Sequence, residues 1–255
     1  MGGRAFGSCE KITQIEIPKS LDNCGNSGYA SYHGPFGACS GLKKIIFEEG
    51  TKEISNNLFR GCTGLEEISI PASVIKIERY TFADCTNLKN VYFSNGVKNV
   101  ENNAFTNCTS LTKVNIPDTV DSIGNSAFSG CTNLVEVHLP DKLKEIASDT
   151  FSGCKKLTTI NFPSTLTMIG NSAFSGCESL PEAILPSGVE KIESNAFKNC
   201  KALKKAAVPD TVSSIGSSAF YGCETLTDIT LGSKLKKIES QTFYGCTVLP
   251  SIVIP

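Results

Sequence analysis

The sequence predicts an α/β solenoid, a right-handed stack of about eleven repeats, each with one short parallel strand and one helical turn. The first observation behind this prediction is the spacing of ten cysteines, each twenty-three residues from the next: Cys39, Cys62, Cys85, Cys108, Cys131, Cys154, Cys177, Cys200, Cys223 and Cys246. The second is a phenylalanine three residues before each of them, and Phe6 with Cys9 makes an eleventh pair. The third is the stretch IGNSAFSGC, which starts at Ile123 and again at Ile169. A fixed short period indicates units that stack on their neighbours.

The first element of each repeat is a predicted strand. The third residue after the cysteine is leucine in ten of eleven repeats, and the sixth and eighth are apolar, as Val114 and Ile116 show after Cys108. Apolar residues with a period of two are typical of a strand that buries one side. Proline usually follows, as at Pro117, where it ends the strand without removing a ladder hydrogen bond.

The second half of each repeat is predicted to turn back through a short helix. An apolar pair such as Val120 and Ile123 indicates a second inward-facing extended segment. Asn125 is of a type that caps helix N-termini, and Gly130 tolerates the positive φ with which helices usually end. The stretch between them predicts one helical turn, with Phe128 directed inward.

The domain organisation follows from stacking. Equal spacing predicts parallel strands about 4.8 Å apart, joined by right-handed connections. Residues 1–255 are expected to form a single solenoid domain with an irregular insertion at about 22–35, because the gap from Cys9 to Cys39 is thirty residues rather than twenty-three. Solenoid ends need polar caps, and the chain begins near a helical turn and stops at Pro255 just after a strand, so a fragment of a longer protein is expected.

Charge and hydropathy argue against two classes of partner. Lysine plus arginine number 24 against 25 aspartates plus glutamates, and no basic run could neutralise a row of phosphates. No apolar run approaches the roughly eighteen residues of a membrane helix, and the start MGGRAF lacks the charged and apolar regions of a signal peptide. We therefore expect neither nucleic-acid binding nor membrane insertion by this segment.

The repeat pattern resembles a known family. Residues 108–130 and 154–176 both read C-x-x-L-x-x-V/I-x-I/F-P-x-x-V/L-x-x-I-x-x-x-A-F-x-G, which is similar to the BspA-type leucine-rich repeat. The resemblance implies a surface or secreted protein of bacteria or protists, with adhesion or ligand binding rather than catalysis, and hence a cell-surface or extracellular location. The sequence departs from the pattern at Pro181 and Pro250, after the strand leucine, and at Ala183 and Ala206, within strands.

The cysteines are interpreted as a ladder of buried thiols that behave as small apolar groups. Equivalent side chains in a parallel stack point the same way, which leaves their β carbons about 4.8 Å apart, too far for an ordinary disulfide. No C-x-x-C or Cys/His cluster indicates a metal site. Cys24 lies outside the ladder and could be a free thiol or reach Cys9.

Catalytic, metal-binding and cofactor-binding residues are not expected. The two histidines, His33 and His138, are not accompanied by a nucleophile and an orienting group, and the chain has no glycine-rich phosphate loop. The sequence therefore predicts a protein that is not an enzyme.

The residues that vary between repeats suggest where a ligand could bind. The fifth and seventh residues after each cysteine should face away from the core, and they differ at almost every repeat. The candidate ligand-binding residues are Tyr92, Lys113, Asn115, Glu136, His138 and Asn161. The leading hypothesis is a non-enzymatic module that presents this sheet face to a protein or glycan.

Two alternatives remain open at this point. The face could be an unconstrained solvated surface, in which case the repeats are a structural spacer that holds another domain away from the cell surface. The insertion, with Tyr29, Tyr32 and His33, could be a contact loop or a tolerated surface insertion without function.

Overall fold

The structure, a computed structural model, describes residues 5–21 and 34–255, and there the chain winds as a parallel β-solenoid. Each repeat contributes three sides. The long-strand side has the strand that follows the cysteine, the short-strand side has a strand of two residues, and the turn side runs from there to the next cysteine. The predicted contact residues Tyr29, Tyr32 and His33, and also Cys24, lie outside the described residues.

The strands of the two sides alternate along the chain. The long-strand side consists of β1 (Gln14–Ile17), β2 (Lys44–Phe47), β4 (Glu67–Ser69), β6 (Asn90–Tyr92), β8 (Lys113–Asn115), β10 (Glu136–His138), β12 (Thr159–Ile160), β14 (Glu182–Ile184), β16 (Lys205–Ala207) and β18 (Asp228–Thr230). The short-strand side consists of β3 (Glu53–Ile54), β5 (Lys76–Ile77), β7 (Asn99–Val100), β9 (Ser122–Ile123), β11 (Glu145–Ile146), β13 (Met168–Ile169), β15 (Lys191–Ile192), β17 (Ser214–Ile215) and β19 (Lys237–Ile238).

The predicted solenoid with parallel strands is confirmed. Residues one period apart are paired, as Val114 with Val137 on the long-strand side and Ile146 with Ile169 on the short-strand side. The alternation of burial also agrees with the prediction, since Val114 is buried between two exposed neighbours in β8. The second inward-facing extended segment, expected from pairs such as Val120 and Ile123, is the short strand of each repeat.

The assignment to the α/β class is wrong, because the predicted helical turn does not form. The described residues include no helix. In the repeat that ends at Cys131, the backbone N–H groups of Ser126, Phe128 and Gly130 donate to carbonyls of the following repeat, at 2.9, 3.0 and 2.7 Å. The intervening residues close local three-residue turns, such as Ser129 to Ser126 at 3.1 Å. An α-helix needs consecutive N–H groups to bond four residues back, so this alternation excludes it.

Backbone dihedrals and the predicted cap lead to the same correction. Ser126 has a φ of 57°, a left-handed value, at the position where a helix would begin, while the positive φ predicted for Gly130 is present at 72°. Asn125, predicted to cap its own turn, instead accepts a hydrogen bond at Oδ1 from the N–H of Ser148 in the next repeat, at 3.1 Å. The turn side is therefore a third ladder between repeats rather than a row of helices.

Pairing on the long-strand side is interrupted rather than continuous. Its strands form four separate ladders, and the last break separates β12 from β14. In the preceding repeat the N–H of Thr158 donates to the carbonyl of Val135 at 3.0 Å, and the equivalent residue one repeat later is Pro181. Because proline has no N–H to donate, the equivalent hydrogen bond from Pro181 to the preceding repeat cannot form.

The core is built from stacked columns of identical residues. The phenylalanines that precede the cysteines stack ring on ring, and Phe105 and Phe128 have their centroids 5.3 Å apart with planes 3° from parallel. Both rings are fully buried. Since each ring contacts one in the repeat before and one in the repeat after, the column couples neighbouring repeats in a way that a single unit could not.

The cysteines form the predicted ladder, with one addition. All eleven cysteines among the described residues are free thiols. Ten of them donate a hydrogen bond from Sγ to the carbonyl of a phenylalanine in an earlier repeat, as Cys131 does to Phe105 at 3.3 Å. Burial raises the pKa of the Cys131 thiol to about 12. The thiols therefore stay protonated at neutral pH and serve as donors as well as small apolar groups.

Candidate functional site

The candidate site lies on the long-strand side, where the strands direct alternate side chains to solvent. In β8 the flanking residues Lys113 and Asn115 are exposed on either side of a buried valine, and in β10 His138 is exposed. Pairing of β8 with β10 places Lys113 beside Glu136 and Asn115 beside His138. The structure thus brings four of the six predicted residues into one patch.

Electrostatics within the patch are local. The ammonium of Lys113 and the carboxylate of Glu136 are 2.7 Å apart, and both side chains are about half exposed, at 60% and 44%. An ion pair this open contributes only about 0 to 1 kcal/mol to stability. Its consequence for a ligand is that the two charges are held together, so they would orient a polar group more than they would attract a net charge.

Tyr92 is exposed as predicted but does not continue the same ladder. Tyr92 is 53% exposed, which makes it the most exposed large hydrophobic residue near the patch on the long-strand side. Strand β6 pairs with β4, which places Tyr92 beside Ser69, and the ladder is interrupted between β6 and β8. Tyr92 therefore lies at the border of the patch.

Asn161 serves the fold rather than the patch. It follows the end of β12 and is half-buried. Its Oδ1 accepts a hydrogen bond from the N–H of Leu139 at 2.7 Å, and its Nδ2 donates to the carbonyl of Leu139 at 3.0 Å. The side-chain amide of Asn161 thus makes the pair of hydrogen bonds that a backbone amide would make in the ladder. Its donor and acceptor are therefore already occupied and are not available to a ligand.

A groove completes the patch with residues that the sequence analysis missed. Asn115 and His138 line a concavity of about 330 Å³ together with Asn95, Asp118 and Thr119. These three belong to the loops that follow the strands, whereas all the predicted site residues are at positions expected to face outward on a strand. The sequence feature that could have indicated these residues is the pair of polar residues directly after the proline that ends a strand, as at Asp118 and Thr119 after Pro117.

The groove is suited to polar recognition. Asn115 and Asn95 offer amide donors and acceptors, and His138 offers a ring nitrogen of each kind when neutral. Asp118 already accepts a hydrogen bond at Oδ1 from the N–H of Asp141, at 3.0 Å, which holds the carboxylate in place. This set of groups can bind hydroxyls or amides of a ligand.

Metal-binding clusters and membrane-spanning helices are both absent from the described residues. Within residues 5–21 and 34–255, no three histidine, cysteine, aspartate or glutamate side chains are grouped so that they could hold a metal ion. The same residues include no helix with the length and apolarity needed to cross a bilayer.

Comparison with known sequence families identifies the repeat. The profile of the family described as BspA type Leucine rich repeat region matches in six copies, over residues 1–135, 98–227 and 169–255. No protein with a curated description is significantly similar in sequence.

Solved structures similar to this one are bacterial leucine-rich repeat proteins. One from Bacteroides ovatus is 27% identical with a TM-score of 0.64, over 88% of this chain and 65% of that one, so the chain spans less than two thirds of that protein's length. The leucine rich repeat protein of T. pallidum is 24% identical with a TM-score of 0.53, over 84% and 83%. One from Eubacterium ventriosum is 19% identical with a TM-score of 0.56, over 98% and 80%. The last two resemblances concern the fold alone.

Proposed function

Because the chain belongs to the BspA type leucine rich repeat family, we propose that it is a non-enzymatic binding module of a surface or secreted protein. The long-strand side would present the groove at Asn115 and His138 to a protein or glycan. A repeat family of this kind is consistent with a binding role. The proposed surface location is inferred from the same family membership.

The observation that supports this proposal most directly is the contrast between constant and variable columns. Buried positions such as Val114 and Val137 are nearly the same in every repeat because stacking requires it. The exposed positions beside them differ from repeat to repeat. Two of them, Asn115 and His138, are paired and line a groove with polar groups of different kinds. A surface that only separates domains needs no such concavity.

The test is a double substitution of Tyr92→Ala and His138→Ala. Both side chains are exposed, so the free energy of unfolding should stay nearly unchanged, whereas affinity for the ligand should fall by about 1 kcal/mol or more if they are hot spots. Binding would be measured on a glycan array and on a panel of purified extracellular-matrix proteins.

The matched control is Thr230→Ala, in the same outward column on β18 and away from the groove. It should bind as the unmodified chain does. Full binding by the Tyr92 and His138 double variant would show that the long-strand groove is not the site. Absence of any binding, together with unchanged function after removal of a whole repeat, would favour the structural spacer.

A further inference from the structure

We propose that the short-strand side carries a second binding site, a polar trough over β17, which takes a zwitterionic oligosaccharide. Such a ligand bears a free amino group and a carboxylate on neighbouring sugars. The trough measures about 770 Å³ and lies between β15 and β19, with Ser214 and Gly216 at its centre. It is on a different side of the solenoid from the groove at His138, and the proposal does not depend on that groove.

At the centre of the trough, one repeat has glycine where its neighbours have glutamate. A Cβ at Gly216 would lie 2.4 Å from the backbone nitrogen of Ser194 and 2.5 Å from the carbonyl carbon of Glu193, so only glycine fits. The equivalent residues of the repeats on either side are Glu193 and Glu239. Their backbones are two strand spacings apart, about 9.6 Å. Two carboxylates therefore flank a gap with no side chain in it.

Two residues earlier, lysines occupy the equivalent positions of the repeats on either side. Ser214 is paired with Lys237, and the pairing of Ile192 with Ile215 places Lys191 on the other side of Ser214. Ser214 and Gly216 are about 6.6 Å apart along the strand. The Nζ of Lys237 lies 2.6 Å from the Oε1 of Glu239, so these two charges neutralise each other. The charges left for a ligand are the ammonium of Lys191 and the carboxylate of Glu193, two residues apart in the lining of the trough.

The floor of the trough consists of hydroxyl groups. The serines that line it are Ser194, Ser213, Ser214 and Ser217. Among the described residues these hydroxyls make no hydrogen bond to other protein groups, and Glu193 takes part in no ion pair. Glu239 is held by Lys237, whose Nζ is 2.6 Å from its Oε1. Most of the polar groups are therefore available to a ligand.

The chemistry of the lining selects the class of ligand. Serine hydroxyls and carboxylates exchange hydrogen bonds with the hydroxyls of a sugar, and Glu193 and Lys191 can pair with an ammonium and a carboxylate respectively. No aromatic residue lines the trough, and its one large apolar residue, Ile192, is buried. Apolar peptide side chains would find little to contact, whereas a chain of charged sugars would find partners along its length.

The experiment compares three forms of one oligosaccharide by isothermal titration calorimetry. They are de-N-acetylated hyaluronan tetrasaccharide, which has both charges, its N-acetylated parent, which has only carboxylates, and the de-N-acetylated form with reduced carboxyls, which has only amines. The zwitterionic form should bind at least about tenfold more tightly than either of the others, since each lost charged hydrogen bond is worth on the order of 1.5 kcal/mol or more.

Substitutions locate the binding. Glu193→Gln and Lys191→Gln should each weaken binding of the zwitterionic form about tenfold, while Glu53→Gln, exposed on β3 of the same side, should leave it unchanged. Circular dichroism melts confirm that each variant is folded. The Tyr92 and His138 double variant should also bind normally, which separates this proposal from the proposed function.

Several outcomes would overturn the proposal. They are failure of the zwitterionic form to bind at millimolar concentration, equal binding of the N-acetylated parent or the carboxyl-reduced form, and unchanged affinity in the Glu193 and Lys191 variants. Equally tight binding of a short peptide of alternating lysine and glutamate would show that the trough recognises charge alone and not a sugar.

Discussion

Alkaline pH is expected to destabilise the solenoid steeply, by about 1.4 kcal/mol per pH unit for each buried thiol once the pH exceeds about 8.5. Burial raises the pKa of Cys85 and of Cys131 to about 12, and it raises the pKa of other thiols in the ladder, such as Cys108 and Cys154. In the unfolded chain the pKa of a cysteine thiol is about 8.5. Above it the unfolded state has lost protons that the folded state keeps, so stability falls as pH rises. Below it the contribution is fully present.

The measurement is a series of guanidinium melts, in the presence of a reductant, between pH values of about 7 and 9.5, where most lysines and tyrosines keep their protons. Cys131→Ala is the matched variant. It removes the hydrogen bond to Phe105 and should lower the free energy of unfolding at neutral pH by about 1 kcal/mol. Above a pH of about 8.5, the slope of stability against pH should be smaller in the variant than in the unmodified chain, by about 1.4 kcal/mol per pH unit. An identical slope in the variant would contradict the proposed role of the buried thiols.

Ser126→Pro is expected to destabilise the protein by about 3 kcal/mol or more. Ser126 has a φ of 57°, which the proline ring cannot adopt, and its N–H donates to the carbonyl of Ser148 at 2.9 Å. The substitution distinguishes the observed turn from the helix that the sequence suggested. In that helix Asn125 would be the cap and Ser126 the first residue, a position where proline is favoured.

Ser126→Gly is the control for this prediction. Glycine adopts positive φ readily and keeps the N–H, so its free energy of unfolding should stay within about 1 kcal/mol of that of the unmodified chain. Denaturant melts of the two variants provide the comparison. A proline variant as stable as the glycine variant would mean that the turn is helical after all.

The residues of one repeat explain why so much of the fold was predictable. Val114 and Ile116 alternate with polar residues, and the cysteine period places each such strand beside its equivalent. Stacking identical units leaves only parallel pairing at equal register, so a local pattern determined a long-range contact. The same reasoning accounts for the pairing of Lys113 with Glu136 and of Asn115 with His138, which are one period apart.

The helical turn was mispredicted for a physical reason. Asn125 and Gly130 are the residue types of helix ends, but they are equally suited to left-handed turns and to capping a neighbouring backbone. Which partner a backbone N–H takes depends on what lies next to it. In the stack, the carbonyls of the following repeat are close enough to compete, and they receive the N–H groups of Ser126 and Phe128.

The candidate sites show the same division. The sequence by itself determined the period, the buried columns and which strand residues face solvent, because these depend on local alternation and on identical units meeting in register. Only the tertiary structure decided that Asn161 is bonded to Leu139, that Asp118 joins His138 in a groove, and that a gap at Gly216 separates two carboxylates. Grooves and hydrogen-bond partners arise between repeats at the points where the repeats differ, and a pattern within one repeat carries no information about them.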